Sequence, residues 1–302
     1  ILSPRTVRHA NIRLGQALLN QLRPTSGFVI DHTTANNAGS DRLTHGNHRL
    51  FFWVVIAMAT VALGIGLFYQ KGIPGLARHV AFSFPEKLLL VKDRQQGAAS
   101  LDRFSSLTAS QLGSETHDRV RRLFARIQVP SGPGAAGETS LYQVFLRHGG
   151  TVGANAFAFP NGTVVVTDEL VSLVDNDEEL QGILAHELGH LEQRHGLRIW
   201  LQRMSSLLLT SWVTGDVSFL AKGMGLAMHQ LMTASYSQEF ELEADQKTIE
   251  YFRHQGIPIR HFVHILEVLS RHRNQGQSPP SFLSTHPSTT ERIRRLTNGD
   301  RA

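Results

Sequence analysis

Residues 50–69 (LFFWVVIAMATVALGIGLFY) carry no charged side chain over twenty positions. At about 1.5 Å rise per residue, a helix of that length reaches roughly 30 Å, the hydrocarbon thickness of a bilayer. A buried core helix seldom runs so far without a polar face. Trp53 and Tyr69 also stand near the two ends, where interfacial aromatics belong. The segment is read as one transmembrane helix at 50–69, with the rest of the chain on either side. Basic residues do not orient it: Arg42 and Arg49 precede the run, and Lys71, Arg78 and Lys87 follow it.

Residues 1–49 set Arg5, Arg8, Arg13, Arg23, Arg42 and Arg49 against Asp31 and Asp41, among many Ser, Thr and Asn. This basic N-terminal segment is not core-forming material. Ile12, Leu14, Leu18, Leu19 and Leu22 alternate with arginines in a loosely amphipathic pattern, as organellar transit peptides do, and a disordered basic arm is the other reading. The net charge of +5 is spread along the chain. Nucleic acid would call for a localised basic stripe on a recognisable module, so it is excluded as a partner; attraction to anionic lipid is the more natural use.

Residues 70–100 are expected to connect the membrane segment to one compact domain at 101–302, mainly α with a small β-sheet (α+β). A helix is expected near 117–127, then a Gly/Pro loop at 131–137 and strands at 141–147, 154–159 and 163–167. Asn161-Gly162 between the last two is a two-residue hairpin signal. The next helix begins near Asp175, where Asp175 and Glu178 have capping-box spacing. Residues 197–233 are apolar in places but broken by Arg198, Arg203, Asp216 and Lys222, so they read as helices packing around the site rather than a second span. A last short helix starts at Ser288, with Glu291 three residues on.

Residues 185–190 read AHELGH. Residues four apart on a helix lie about 40° from one face and one turn apart, so His186 and His190 can reach one ion. With no cysteine in the chain, any metal must be held by imidazole and carboxylate. Zn2+, one per chain, suits that donor set, and Glu187 between the two histidines is placed to take a proton from a water on the metal. The metzincin pattern would need Gly at 193 and His at 196; Gln193 and Gly196 stand there, so that class is excluded. His195, five residues after His190, lies about 140° round a continued helix and is poorly placed as a ligand. A third ligand is available in EFELEAD (239–245), where Glu241 and Asp245 are one turn apart, a ligand and a partner for the free N–H of a ligating histidine. Glu239 and Glu243 compete for the ligand role, and spacing does not settle among them.

Four blocks, NAFAFPNGTVVVTDEL (155–170), ILAHELGHLEQRH (183–195), SQEFELEAD (237–245) and STHPSTTERI (284–293), together resemble the membrane-associated zinc peptidases of the CAAX prenyl protease, HtpX and OMA type. The mitochondrial inner-membrane OMA metalloendopeptidase is the member most resembled, and a bacterial inner-membrane, periplasm-facing relative is the alternative. The resemblance implies a zincin-type (gluzincin) peptidase domain with Glu241 as the glutamate ligand, Asp245 behind it and His286 near the active site. A hydrogen bond from His286 to the oxyanion is the role implied, and shaping of the loop by His-Pro is the plainer one. Asn155, Ala156 and Phe157 fall in the strand that flanks substrate in this family.

Ser237-Gln238 and Asp168-Glu169 depart from the usual family pattern. The implied activity is zinc-dependent endopeptidase action on membrane or misfolded proteins. Expected partners are protein or peptide substrates and a lipid bilayer, with homo-oligomer formation allowed. A non-catalytic, membrane-tethered binding module is the rival, and an intact Glu187 argues against it.

Overall fold

The computed structural model describes residues 40–85, 88, 90, 94–102, 104, 106–128, 142–216, 218, 235–274, 282–287 and 290–299. Expectations for residues 1–39, the loop at 131–137, the first strand residue Leu141, the segment 219–233 and the cap at Ser288 lie outside the described residues. The chain divides into two compact units, Ile1–Gly64 and Ile65–Ala302.

Helix α1, Ser40–Leu67, starts well before the apolar run. A π-helical turn, Phe68–Gly72, joins it to α2, Ile73–Ser83, without a break. The widened turn has a cause in Pro74, which lacks the N–H that an unbroken helix would direct at the turn before it. Residues His48–Ser83 therefore form one helix whose most apolar 18-residue window has a mean hydropathy of 2.4, long and apolar enough to cross a membrane. The apolar side chains of its first part are exposed, Phe51 by 69% and Val61 by 61%, whereas Ile73, Ala77 and Ala81 further on are buried. The expected connector at 70–100 thus contains α2 and a further helix, α3, Arg94–Leu101.

The second unit is mostly helical with one small mixed sheet. Its strands are β1 Thr108–Ala109, β2 Gln143–His148, β3 Ala156–Phe159 and β4 Thr163–Thr167, in the order β1-β2-β4-β3. Strand β2 runs parallel to β4, with Val144 opposite Val164, and β3 is antiparallel to β4, with Phe159 opposite Thr163. The β3–β4 connection therefore holds three residues, Pro160, Asn161 and Gly162, the span left by the expected strand ends but longer than the two-residue turn that Asn161-Gly162 signals. Gly162 takes φ 82°, a left-handed conformation open to glycine at little cost.

Alternation along the strands builds two cores. Val144, Leu146, Ala156, Ala158, Val164 and Val166 face the main helical core. Phe145, Phe157, Phe159 and Val165 pack with Leu101 and Leu107 on the other side. The alanines of β3 are small enough for a helix to approach that face closely.

Helix α4, Ser114–Ile127, packs on β2, and the single turn α5, Asp168–Val171, follows β4. Helix α6, Asp177–Glu192, is buried from Glu179 to Leu191. Its N-cap is Asn176, whose side chain accepts from Glu179 N at 2.9 Å, with Glu179 reaching back to Asp175 N. The cap is thus one residue later than the expected Asp175. Helix α7, His195–Thr214, packs on α2, and α8, Gln238–Gln255, lies against α6. Helix α9, Arg260–Asn274, covers α6 from another side; α10, Phe282–Thr285, and α11, Thr290–Gly299, complete the described chain.

Candidate metal centre

Two helices make the site, and a glycine sets their separation. A Cβ on Gly189 of α6 would meet Ala244 Cα and O, both at 3.0 Å, so only glycine lets α8 approach this closely. Ser237 caps α8 by accepting from Phe240 N, and the first turn that follows carries Glu241 to the histidines of α6.

His186, Glu187, His190, Glu241 and His286 are each no more than 1% exposed. The two Nε2 atoms of His186 and His190 are 3.1 Å apart. Glu241 Oε2 lies 3.3 Å from His186 Nε2, and Oε1 lies 3.4 Å from His190 Nε2. His286 Nδ1 joins this group, 3.0 Å from Glu241 Oε1 and 3.3 Å from His186 Nε2, while its Nε2 is 3.3 Å from Glu187 Oε1. Donor atoms of His186, His190, Glu241 and His286 all lie within 4.8 Å of one another.

The donor set fits a divalent cation. His186 Nδ1 lies 3.1 Å from Asp245 Oδ1, and His190 Nδ1 lies 2.8 Å from His195 Nδ1. A neutral imidazole that carries its proton on Nδ1 presents a lone pair at Nε2. Two such lone pairs and a carboxylate then face one point in a buried site, an arrangement that repels unless positive charge sits among them. Two imidazoles and one carboxylate are a zinc-type set. Beside them, neither carboxylate oxygen of buried Glu187 receives a hydrogen bond among the described residues.

Protons compete for the same atoms. Burial disfavours a charged His186, yet Glu241 and Asp245 outweigh it and raise its pKa to about 9. Burial, with His186 beside it, pushes His190 well below the usual range. Burial would raise Glu241, but His286, His186 and Arg292 hold it well below the usual carboxylate range. Glu187 is pushed up, by burial first.

The three glutamates that competed in EFELEAD now separate. Glu239 is exposed, and Glu243 turns away to bond His195 and Arg198, which leaves Glu241 facing the histidines. Asp245 lies behind His186. Asn155 precedes β3 at the sheet edge; Ala154 O accepts from Phe282 N, which ties this strand to the short helix before His286. Ala156 and Phe157 point to opposite faces, Ala156 into the helical core and Phe157 into the smaller one.

Several residues of the site escaped the sequence reading. Tyr236 stacks on His190 with ring centres 3.9 Å apart. Arg292 of α11 bonds Asp245 through Nε and Nη2. His195 turns its ring nitrogens to His190 Nδ1 and Glu243, and it is not on the helix of His190, because α6 ends at Glu192 and Arg194 takes a left-handed φ of 53°. That turn folds His195 back under His190, where a continued helix would have carried it away.

The profile described as peptidase family M48 matches residues 111–299. The metalloprotease YcaL of Escherichia coli (strain K12) is 28% identical over 207 residues, 67% of this chain and 76% of that protein. The beta-barrel assembly-enhancing protease of Yersinia pestis is 31% identical over 150 residues, 46% of this chain and 31% of that protein. The mitochondrial metalloendopeptidase OMA1 of Danio rerio is 30% identical over 155 residues, 47% of this chain and 32% of that protein. The chain thus spans under a third of the last two. The mitochondrial protein is matched no better than the bacterial ones, so the similarity favours no mitochondrial member.

Proposed function

This chain belongs to peptidase family M48, and on that premise we propose that it is a membrane-anchored, zinc-dependent endopeptidase. The observation that carries the proposal is Glu187, a buried carboxylate that accepts no hydrogen bond among the described residues, with His286 Nε2 3.3 Å from its Oε1, set beside the converging lone pairs of His186, His190 and Glu241. A group buried in that condition is costly unless a function retains it.

His186, His190 and Glu241 would hold the zinc, and Asp245 would orient His186 through Nδ1. Zinc in such a site lowers the pKa of water towards neutrality and polarises a carbonyl. Glu187 takes the proton of the attacking water on a carboxylate oxygen and returns it to the leaving amine. His286, through its ring N–H, bonds the developing oxyanion. An extended substrate would lie along the edge strand β3 near Asn155, whose buried Nδ2 has no hydrogen-bond partner among the described residues. The anchor is the apolar helix His48–Ser83. Relatives of bacterial and mitochondrial origin both match, so the proposal is made for a membrane protease of misfolded or membrane proteins without a named compartment.

A second reading has its own observation. His286 supplies a fourth donor to the cluster, and four protein ligands would close the site as structural sites are closed.

One experiment separates the two readings. The detergent-solubilised protein and its Glu187→Gln variant are assayed for zinc content and for cleavage of an unfolded protein, with and without chelator. Equal zinc, with chelator-sensitive cleavage in the wild type alone, supports the peptidase. Equal zinc with no cleavage in either supports the closed site. Absence of zinc from both removes the ligand assignment.

A further inference from the structure

Behind His190 runs a polar chain that the reaction described above does not use. His190 turns Nε2 towards His186 and Glu241, so Nδ1 is the nitrogen left for other work, and it lies 2.8 Å from His195 Nδ1. One of these two nitrogens must carry the shared hydrogen. If His190 gives its Nε2 lone pair to a metal, its single proton sits on Nδ1 and is donated to His195. Neutral His195 then carries its own proton on Nε2, which lies 2.9 Å from Glu243 Oε2. Reversing the chain would put a proton on His190 Nε2, aimed into the donor cluster, so the carboxylate end fixes the direction of the whole chain.

The chain is also held in place. His195 is fully buried and stacks on Phe240, ring centres 4.3 Å apart and planes within 9°. Glu243 is pinned at Oε2 by Arg198 Nη1 at 2.6 Å and at Oε1 by Arg78 Nη1 at 2.8 Å. The left-handed backbone of Arg194 is what places His195, and its guanidinium bonds Ala81 O and Phe84 O at the end of α2. A non-glycine residue in that conformation is kept only where its surroundings over-determine it.

We propose that His195 and Glu243 are positioning residues that fix the tautomer and aim of His190 and thereby set the affinity of the metal site. The inference rests on His186, His190 and Glu241 being the ligands, and it adds a carboxylate–histidine pair behind the second of them. Partners of this kind change metal affinity by about 10- to 100-fold when removed.

The test uses the full chain in detergent, with zinc affinity measured by competition against a chromophoric chelator and the visible spectrum of the cobalt-substituted protein recorded alongside. His195→Leu lowers zinc affinity by about 10- to 100-fold and changes the cobalt spectrum. His195→Asn restores an oxygen where Nδ1 stood, able to accept from His190, and recovers most of the affinity. Glu243→Gln keeps the His195 ring and its packing and gives an intermediate loss. If His195→Leu does not fold, the other two variants decide: affinities and spectra equal to wild type in both overturn the proposal. Wild-type affinity and spectrum in a folded His195→Leu overturn it directly. A wild type that binds neither zinc nor cobalt removes the ligand assignment itself, an outcome distinct from a variant that fails to differ.

Discussion

Arg292 and Asp245 form a buried two-point pair, with Nε 2.8 Å from Oδ2 and Nη2 2.7 Å from Oδ1. The same guanidinium reaches Glu241 Oε2 at 2.5 Å and Pro287 O at 2.9 Å. One cation from the last helix thus faces two carboxylates that stand behind and beside the histidines. Burial would raise Asp245, but Arg292 and His186 outweigh it and hold its carboxyl below the usual range.

Arg292→Met should therefore cost about 3–5 kcal/mol, because it leaves a buried carboxylate pair without its cation. Arg292→Lys should recover less than half, since an ammonium cannot make the forked contact with both Asp245 oxygens. Thermal unfolding in detergent measures both. A Lys variant as stable as wild type would show that charge alone suffices.

Gly189 is tested in the same way. An alanine there puts a methyl group 3.0 Å from the backbone of Ala244, which cannot rotate aside. Overpacking of this kind costs about 1–3 kcal/mol, and here it also pushes the helix of Glu241 away from that of His186 and His190. Gly189→Ala should lower both the unfolding temperature and zinc affinity; a loss of stability with unchanged affinity would mean that the helices relax without moving the ligand.

The legible part of the site was the part that a single helix dictates. His186, Glu187 and His190 are related by spacing within one helix, so their shared face could be read from the chain. Glu241 could not be separated from Glu239 and Glu243 by spacing, because the choice depends on Arg198 drawing Glu243 aside from across the fold. His195 was misplaced for a backbone reason: nothing in Gln193-Arg194 announces a left-handed residue, and a helical projection runs past the true end of α6. Arg292 meets Asp245 across 47 positions of sequence, a pairing that local pattern does not carry. Three of the four strands were found; the two-residue β1, Thr108–Ala109, was missed, and the parallel pairing of β2 with β4 is not carried by alternation. The family resemblance named His286, whose Nδ1 the structure sets beside His186 Nε2 and Glu241 Oε1 and whose Nε2 it sets near Glu187.

Asp168, one of the departures from the family pattern, has a structural task. Its carboxylate accepts from Ser110 Oγ and from Gln111 N, both at 2.7 Å, and so fastens the segment before α4 to the end of β4. Asp168→Ala should cost about 1–3 kcal/mol by leaving those donors unmet, with zinc content unchanged. Loss of zinc in this variant would place the residue in the site's support.

His286 presents a choice that one variant resolves. Its ring stacks on Phe282, centres 4.5 Å apart, and its backbone N bonds Phe282 O at 2.7 Å, so the loop holds the ring over the cluster. From there Nδ1 faces Glu241 and Nε2 faces Glu187. As an oxyanion donor the ring acts only while charge develops on the substrate; its loss should lower kcat by about 10²- to 10³-fold and leave zinc to the three remaining ligands. As a fourth ligand it occupies the position that water needs, and its loss should weaken zinc binding while opening the site. The expected result for His286→Ala is the first: equimolar zinc, little change in KM and a large fall in kcat. Weaker zinc binding with undiminished or faster cleavage would assign His286 to the metal and make its withdrawal a condition of turnover.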